Sequence, residues 1–279
     1  MGPVPEKLSE EMVRKMATNS RWDNRWTIWS SGGGVQSSAI AVLILKGLLP
    51  KPDFAVIADT GRETQSTWDY LENVVNPALT KKFGNFKIQR FPCSVLERNA
   101  FPPSLWNGEG TLLIPAYEVG QPKLPNYCST HWKRDAVKRW ALDRGLVPAV
   151  NWIGFSTNEM GRIATPRALN WLIDYPLVFR VPRSRQGCEN EIEQFGWPPN
   201  PGSSCWLCPN RRNPQWRLLR DTRPDEFEMA CQEDEKLRLR NPNVFLHQSL
   251  VPLREADLGQ DGDGAKQATL GCNSGDCFV

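Results

Sequence analysis

The 279-residue chain lacks several features that would have narrowed its role at once. No apolar run follows a basic N-terminal stretch, so a secretory signal is not expected. The longest apolar segment, residues 39–49, is interrupted by Lys46 and is too short to cross a bilayer. Neither an internal repeat nor a long low-complexity tract stands out, which argues against solenoid and fibrous architectures. The excess of basic over acidic residues is only +3, too small to mark a dedicated nucleic-acid binder. Histidine is scarce, with two in the whole chain, against eight Cys, 12 Trp and 23 Pro. Without a secretory signal, a reducing cytoplasmic location is expected. There, clustered cysteines point to metal binding or catalysis more than to disulfides.

The patterns that are present organise the chain. Residues 5–17 place Leu8, Met12, Val13 and Met16 on one face of a short amphipathic helix. Trp26–Trp29 is a β-prone run ending at Ser30-Ser31-Gly32-Gly33-Gly34, and the dense apolar stretch 35–48 suits a buried helix. Phe54–Ala58 predicts a second buried strand that stops at Asp59-Thr60-Gly61. A helix over 65–79, a strand over 86–91, a helix over 132–144 and a strand over 151–155 follow. Nearly all-apolar strands alternating with helices predict an α/β fold whose parallel sheet is covered on both faces. Pro, Gly, Ser and Arg dominate 182–209, with helical spacing near 188–195, and helices are expected again at 214–220 and 225–240. The organisation read from this is an N-terminal extension (1–24), an α/β nucleotide-binding domain (25–175), a helical region carrying Cys-x2-Cys and packed on the sheet (176–258), and a flexible Cys-containing tail (259–279).

A glycine-rich turn between a strand and a helix is an arrangement that binds phosphate. Successive backbone N–H groups converge there, and the helix N-terminus supplies partial positive charge. Ser30, Ser31, Ser37 and Ser38 add hydroxyls. No Gly-Lys-Ser/Thr follows, so the turn is not a P-loop, and it is not the dinucleotide Gly-x-Gly-x-x-Gly either. A plain serine-capped turn is the simpler reading. Asp59, at the carboxyl end of a strand, could bind a ribose or Mg²⁺, or merely cap the next helix. Lys133, Arg134 and Arg162 could neutralise phosphate or sulfate, and Glu159 could orient Arg162, although solvated charges and an ordinary ion pair are the bland alternatives.

Taken in order, these segments resemble the phosphoadenosine phosphosulfate (PAPS) reductase family, within the adenine-nucleotide α-hydrolase-like (PP-loop) superfamily. The resemblance runs through Gly32-Gly33-Gly34-Val35-Gln36-Ser37, Asp59-Thr60-Gly61-Arg62-Glu63-Thr64, Asn126-Tyr127-Cys128 with Lys133, and Gly154 followed by Asn158-Glu159 and Arg162. Tyr175-Pro176-Leu177, Ser204-Cys205-Trp206-Leu207-Cys208-Pro209, Phe245-Leu246-His247-Gln248-Ser249 and the terminal Cys272 and Cys277 are similar to the second half of phage and prophage members. Two positions depart from the usual Ser-Gly-Gly-x-Asp-Ser loop, with Gly32 in place of Ser and Gln36 in place of Asp. The resemblance implies a five-stranded parallel sheet with an adenine nucleotide, ATP or PAPS with or without Mg²⁺, across its carboxyl edge. It implies nucleotide contacts from Ser31, Gly32, Gly33, Gly34, Gln36, Ser37, Asp59, Gly61, Glu159 and Arg162. It also implies catalytic roles for Lys133 and for a tail thiol, Cys272 or Cys277.

Cys205-x2-Cys208 is the sharpest local signal, because two thiolates so spaced can chelate one metal or one edge of a cluster. Further ligands must come from elsewhere. By the resemblance Cys128 is the best candidate, and Cys272 is another natural source. Zn²⁺, a [4Fe–4S] cluster, reduced free thiols and a redox disulfide remain open. The adjacent Cys-Cys pair of cluster-bearing adenylyl-sulfate reductases is missing, and so is the terminal Glu-Cys-Gly of genuine PAPS reductases. The expectation is an enzyme acting at the α-phosphate or sulfate end of an adenine nucleotide, in sulfur transfer or sulfonucleotide reduction. The alternatives are an adenylating thiolation enzyme acting on DNA or tRNA, and a catalytically inactive nucleotide-binding or interaction module. A sulfur donor or a thioredoxin-like protein would be the protein partner, and no membrane is expected.

Overall fold

The computed structural model describes residues 25–93, 101–163 and 168–259. The amphipathic 5–17 segment and the tail thiols Cys272 and Cys277 lie outside the described residues. Seven strands are present there: β1 (Trp26–Ser30), β2 (Phe54–Asp59), β3 (Ile88–Pro92), β4 (Tyr117–Glu118), β5 (Ala149–Ile153), β6 (Trp171–Asp174) and β7 (Val244–Phe245). Five of them form a parallel sheet in the order β3-β2-β1-β5-β6, while β4 and β7 pair antiparallel in a small ribbon. The expected α/β fold with a five-stranded parallel sheet is therefore what the chain adopts.

The helices follow from the same apolar patterning. α1 (Val35–Leu45) buries every residue except Gln36, as a helix lying between a sheet and a second helix must. The run expected as one helix over 65–79 is α2 (Gln65–Tyr70), a π-helical turn (Leu71–Val75) and α3 (Asn76–Phe83) without a break. A second π-helical turn, Ser129–Arg134, leads into α4 (Asp135–Leu142). Further on come α5 (Pro176–Phe179), α6 (Arg185–Gln194), α7 (Asn213–Thr222) and α8 (Pro224–Arg240). Among the described residues no helix is long and apolar enough to cross a membrane.

Alternation along the strands divides the core in two. Ile28, Val56, Ala58 and Ala149 point to one face, where α4, residues 105–116, α7, α8 and the segment up to Leu258 cover them. Trp29, Ala55, Ile57, Val150 and Trp152 point to the other, against α1, Trp68, Leu79 and α6. Residues beyond 176 thus contribute to both covering layers. Asp234, fully buried on α8, ties the last described segment down by accepting hydrogen bonds from the backbone N–H groups of Leu246 (2.8 Å) and Leu253 (2.9 Å). The strand order reverses between β1 and β5. Open parallel sheets bind ligands at the carboxyl edge beside such a switch point.

Candidate active site

The glycine turn leaves β1 at that switch point. Gly33 has φ +73°, and a Cβ there would lie 2.5 Å from Thr67 Cγ2, so both backbone conformation and space demand glycine. Ser37 Oγ accepts the Gly32 N–H at 2.8 Å, and Ser31 Oγ accepts the Gly33 N–H at 3.2 Å. From 167 residues away, Asn200 Nδ2 donates to Gly33 O (3.1 Å) and to Ser38 Oγ (2.8 Å). The loop is thus folded partly by its own serines and partly by the C-terminal region.

In front of it lies a cleft with about 500 Å³ of space, counting the part open to solvent. Ser30, Ser31, Gly32, Ile57, Ala58, Asn151 and Ile153 form its floor at the ends of β1, β2 and β5. Ser129, Lys133 and Arg134 from the π-helical turn and Val137 from α4 close the opposite side, and Glu63 enters after β2. Ser30 Oγ donates to Asn151 Oδ1 at 2.6 Å, joining the two strands at the switch point. Hydroxyls, a glycine loop and two cations facing one cleft suit a polyanion such as a nucleotide phosphate chain.

A second chamber adjoins the first, lined by Thr60, Asn126, Cys128, Ser129, Trp132, Lys133, Cys205, Cys208 and Asn210. Ser129 and Lys133 belong to both walls. The Cys-x2-Cys loop reaches this place by docking on the segment after β2. Trp206 N donates to Arg62 O (2.8 Å), Thr64 N donates to Ser204 O (3.1 Å), and Glu63 forms an isolated antiparallel bridge with Cys205. Lys133 Nζ stands 3.7 Å from Glu63 Oε2, while Glu63 Oε1 accepts from Ser203 Oγ (2.6 Å) and Thr67 Oγ1 (3.3 Å).

These surroundings favour the protonated thiols of Cys205 and Cys128. Burial pushes the Cys205 thiol up to about 11, with the Glu63 carboxylate adding to the rise and Lys133 opposing it. Burial likewise pushes Cys128 up to about 12, assisted by its neighbours Cys205 and Cys208. Cys128 Sγ donates to Asn126 Oδ1 at 2.9 Å, and Cys205 Sγ lies 3.7 Å from Thr60 Oγ1. As to metal, Cys128, Cys205 and Cys208 line one chamber, yet among the described residues no three Cys, His, Asp or Glu side chains are disposed to hold an ion.

Asp59, Gly61, Gln36, Glu159 and Arg162, singled out from the sequence, are not among the residues that line either chamber. Both carboxylate oxygens of Asp59 are engaged, Oδ1 by the Gly61 N–H (2.7 Å) and Oδ2 by Arg90 Nε (2.7 Å), so this side chain is turned toward β3. Gly61 has φ +68° and packs against Phe101 and Pro102. Gln36 Nε2 donates to Glu159 Oε2 (3.0 Å), and Glu159 Oε1 accepts from Arg162 (2.6 Å), making a cluster at the start of α1. Glu159 also accepts from Ser156 N (3.0 Å) and Ser156 Oγ (2.9 Å), a capping box that fixes its carboxylate. Ser129, Asn151, Asn200 and Ser203 had no functional sign in the sequence, and Glu63 was visible only as part of a motif.

No family model and no curated protein matches the chain. Among solved structures, the phosphate complex of a phosphoadenylyl-sulfate (PAPS) reductase from Candida auris is similar to it, with 13% identity and a TM-score of 0.44. The match covers 70% of this chain and 91% of that one. A likeness at that distance decides neither reaction nor substrate.

Proposed function

We propose that the chain binds an adenine nucleotide with its phosphates on the Ser31–Gly34 turn, and acts at the α-phosphate or sulfate end in sulfur transfer or sulfonucleotide reduction. The observation that supports this reading is the common wall. Ser129 and Lys133 line both the cleft in front of the glycine turn and the chamber of Cys128, Cys205 and Cys208. A phosphate or sulfate group held by Lys133 would lie beside thiols. A half-buried cation in the shared wall would supply electrostatic stabilisation of the negative charge that develops in such displacements.

Two versions of the reaction fit that geometry. In the first, an acceptor oxygen of DNA or tRNA attacks the α-phosphorus of ATP, the P–O bond to pyrophosphate breaks, and the adenylated acceptor is then open to a sulfur donor. In the second, a thiolate attacks the sulfate sulfur of PAPS, the S–O bond to the nucleotide breaks, and adenosine bisphosphate leaves. A second thiol then releases sulfite and closes a disulfide, which a thioredoxin-like protein reduces. With Cys205 near 11 and Cys128 near 12, these two thiols are poor attackers at neutral pH. The attacking group proposed for the second version is therefore Cys272 or Cys277, outside the described residues. Cys128, Cys205, Cys208 and Cys272 remain the proposed ligands should a Zn²⁺ ion or cluster be present. As they stand the described three do not fit an ion, and no step of this reading runs through one.

Pyrophosphate release from ATP, with and without tRNA or DNA, run beside sulfite release from PAPS with a dithiol reductant, tests the proposal. Either product supports it and selects the version. Nucleotide binding by calorimetry without either product points to the inactive module, and absence of binding overturns the whole reading.

A further inference from the structure

A third cavity, sharing no lining residue with the two chambers, lies between residues 102–106 and α8. It is lined by Arg62, Pro102, Pro103, Ser104, Leu105, Trp106, Glu233, Lys236 and Leu237. Water can occupy about 250 Å³ of it, against about 30 Å³ in each of the other two. One water needs roughly 10–15 Å³ by the same measure, so this space admits a small organic molecule.

Its charges are unequal in a way that defines a ligand. Arg62 is 5% exposed, a degree of burial that guanidinium groups rarely reach without a carboxylate. Its partners among the described residues are neutral: Nη2 donates to Pro103 O (2.6 Å), Nη1 reaches Thr60 O at 3.5 Å, and Trp132 lies under the guanidinium at 5.2 Å. Two of its five N–H donors are thereby used. Burial pulls its pKa below the ordinary arginine value, with Cys205 and then the Glu233 charge working against that fall. Lys236 and Glu233 face the same cavity but pair with each other at 2.8 Å, which leaves one cationic charge over. Trp106, held by Arg240 at 4.3 Å from its ring centroid, forms a flat apolar wall with Leu105, Leu237 and the two prolines. Ser104 Oγ accepts from Trp106 N (3.1 Å) and keeps its own O–H to donate.

We infer that this cavity is a second ligand site, which takes a small aromatic monocarboxylate with its charged end on Arg62 and its ring against Trp106. The planar guanidinium fork matches a carboxylate in two parallel hydrogen bonds. Glu233 at the rim disfavours a dianion, which sets the site apart from one for phosphate. The inference goes beyond the proposed nucleotide chemistry and does not depend on it.

Benzoate is the probe. Titrated into the full-length protein labelled with ¹⁵N at tryptophan, it is expected to shift the Trp106 indole resonance saturably. Inorganic phosphate should shift that resonance less at equal concentration. Arg62→Met is expected to weaken benzoate by roughly tenfold or more, the loss usual for a charged hydrogen bond. Lys236→Glu, a change at an exposed rim position that spares the fold, should also weaken it severalfold. Lys133→Ala, in the nucleotide cleft, should leave it unchanged. An unmoved Trp106 resonance, or undiminished binding in folded Arg62→Met, overturns the inference. If Arg62→Met does not fold, undiminished binding in Lys236→Glu overturns it instead. Phosphate binding as tight as benzoate, or loss of benzoate binding in Lys133→Ala, overturns it as well.

Discussion

The two chambers that share Lys133 are built in opposite ways. The glycine turn of the first rises from one local stretch, a strand, three glycines and a buried helix within residues 26–45, and β2, β5 and the Ser129–Arg134 turn complete the cleft around it. The thiol chamber is assembled from segments far apart in the chain, around Thr60, Asn126–Lys133 and Cys205–Asn210. Local construction makes the glycine turn readable in the sequence. Distant construction makes the second dependent on tertiary packing, so disturbances should affect the two differently.

The largest effect is expected where the local chamber has no slack. Gly33→Val forces a side chain into a left-handed backbone and against Thr67, at a cost of about 3 kcal/mol or more. Denaturant unfolding should show that loss, and nucleotide binding by calorimetry should disappear. Lys133→Ala strikes the shared wall. It should weaken nucleotide binding by about 2 kcal/mol, near thirtyfold, while changing the denaturation midpoint little. A loss confined to thiol reactivity with binding intact would separate the chambers that this residue joins. Asn200→Ala cuts the tie between the glycine turn and the C-terminal region. It should cost about 1–2 kcal/mol of stability and a smaller loss of nucleotide affinity, read by the same two methods.

A last effect, read against pH, concerns the thiols of the second chamber. The Cys205 and Cys128 thiols titrate near 11 and 12 in the folded chain, against 9.0 for the free group. The folded state therefore keeps protons that the unfolded state gives up above pH 9. Stability should be level below that pH and should fall as pH rises from 9 toward 12. Replacing Cys205 and Cys128 with Ala should make the decline between pH 9 and 11 shallower, measured by urea denaturation at each pH, with the buried Cys93, Cys188 and Cys231 thiols accounting for what remains. An unchanged slope would mean that these thiols are not held protonated by the fold.

How much of this could be read in advance follows the same division. The strands at 26–30, 54–59 and 149–153 announce themselves as apolar runs beside turn residues, and α1 as an apolar stretch too long for a strand, whereas β3 shows only Ile88 and Phe91 among polar neighbours. β6 does not, because Trp171–Asp174 is four residues long with only its ends buried. The fifth strand was thus expected by resemblance rather than by pattern. The π-helical turn at Ser129–Arg134 starts that helix three residues before Trp132, and this places Ser129 in both walls. Asp59, at the end of a strand, looked like a ligand to nucleotide or Mg²⁺, yet the neighbouring strand offers Arg90, whose guanidinium captures it. Asn200 and Ser203 sit in a Pro/Gly/Ser-rich stretch that has no periodicity, and their meaning exists only once that stretch lies on the glycine turn. Side-chain pairings across more than a hundred residues leave no trace in local spacing.

The Asn200 bridge also bears on the order in which the working protein comes into being. A chain emerging from the ribosome can pair β1 with β2 early, but the carbonyl of Gly33 waits for a donor that is synthesised 167 residues later. Until then the turn has only its own serines to hold it. A nascent chain shorter than about 200 residues would therefore carry the glycine turn unfinished, and the turn would be completed just before the Cys205–Cys208 loop is made.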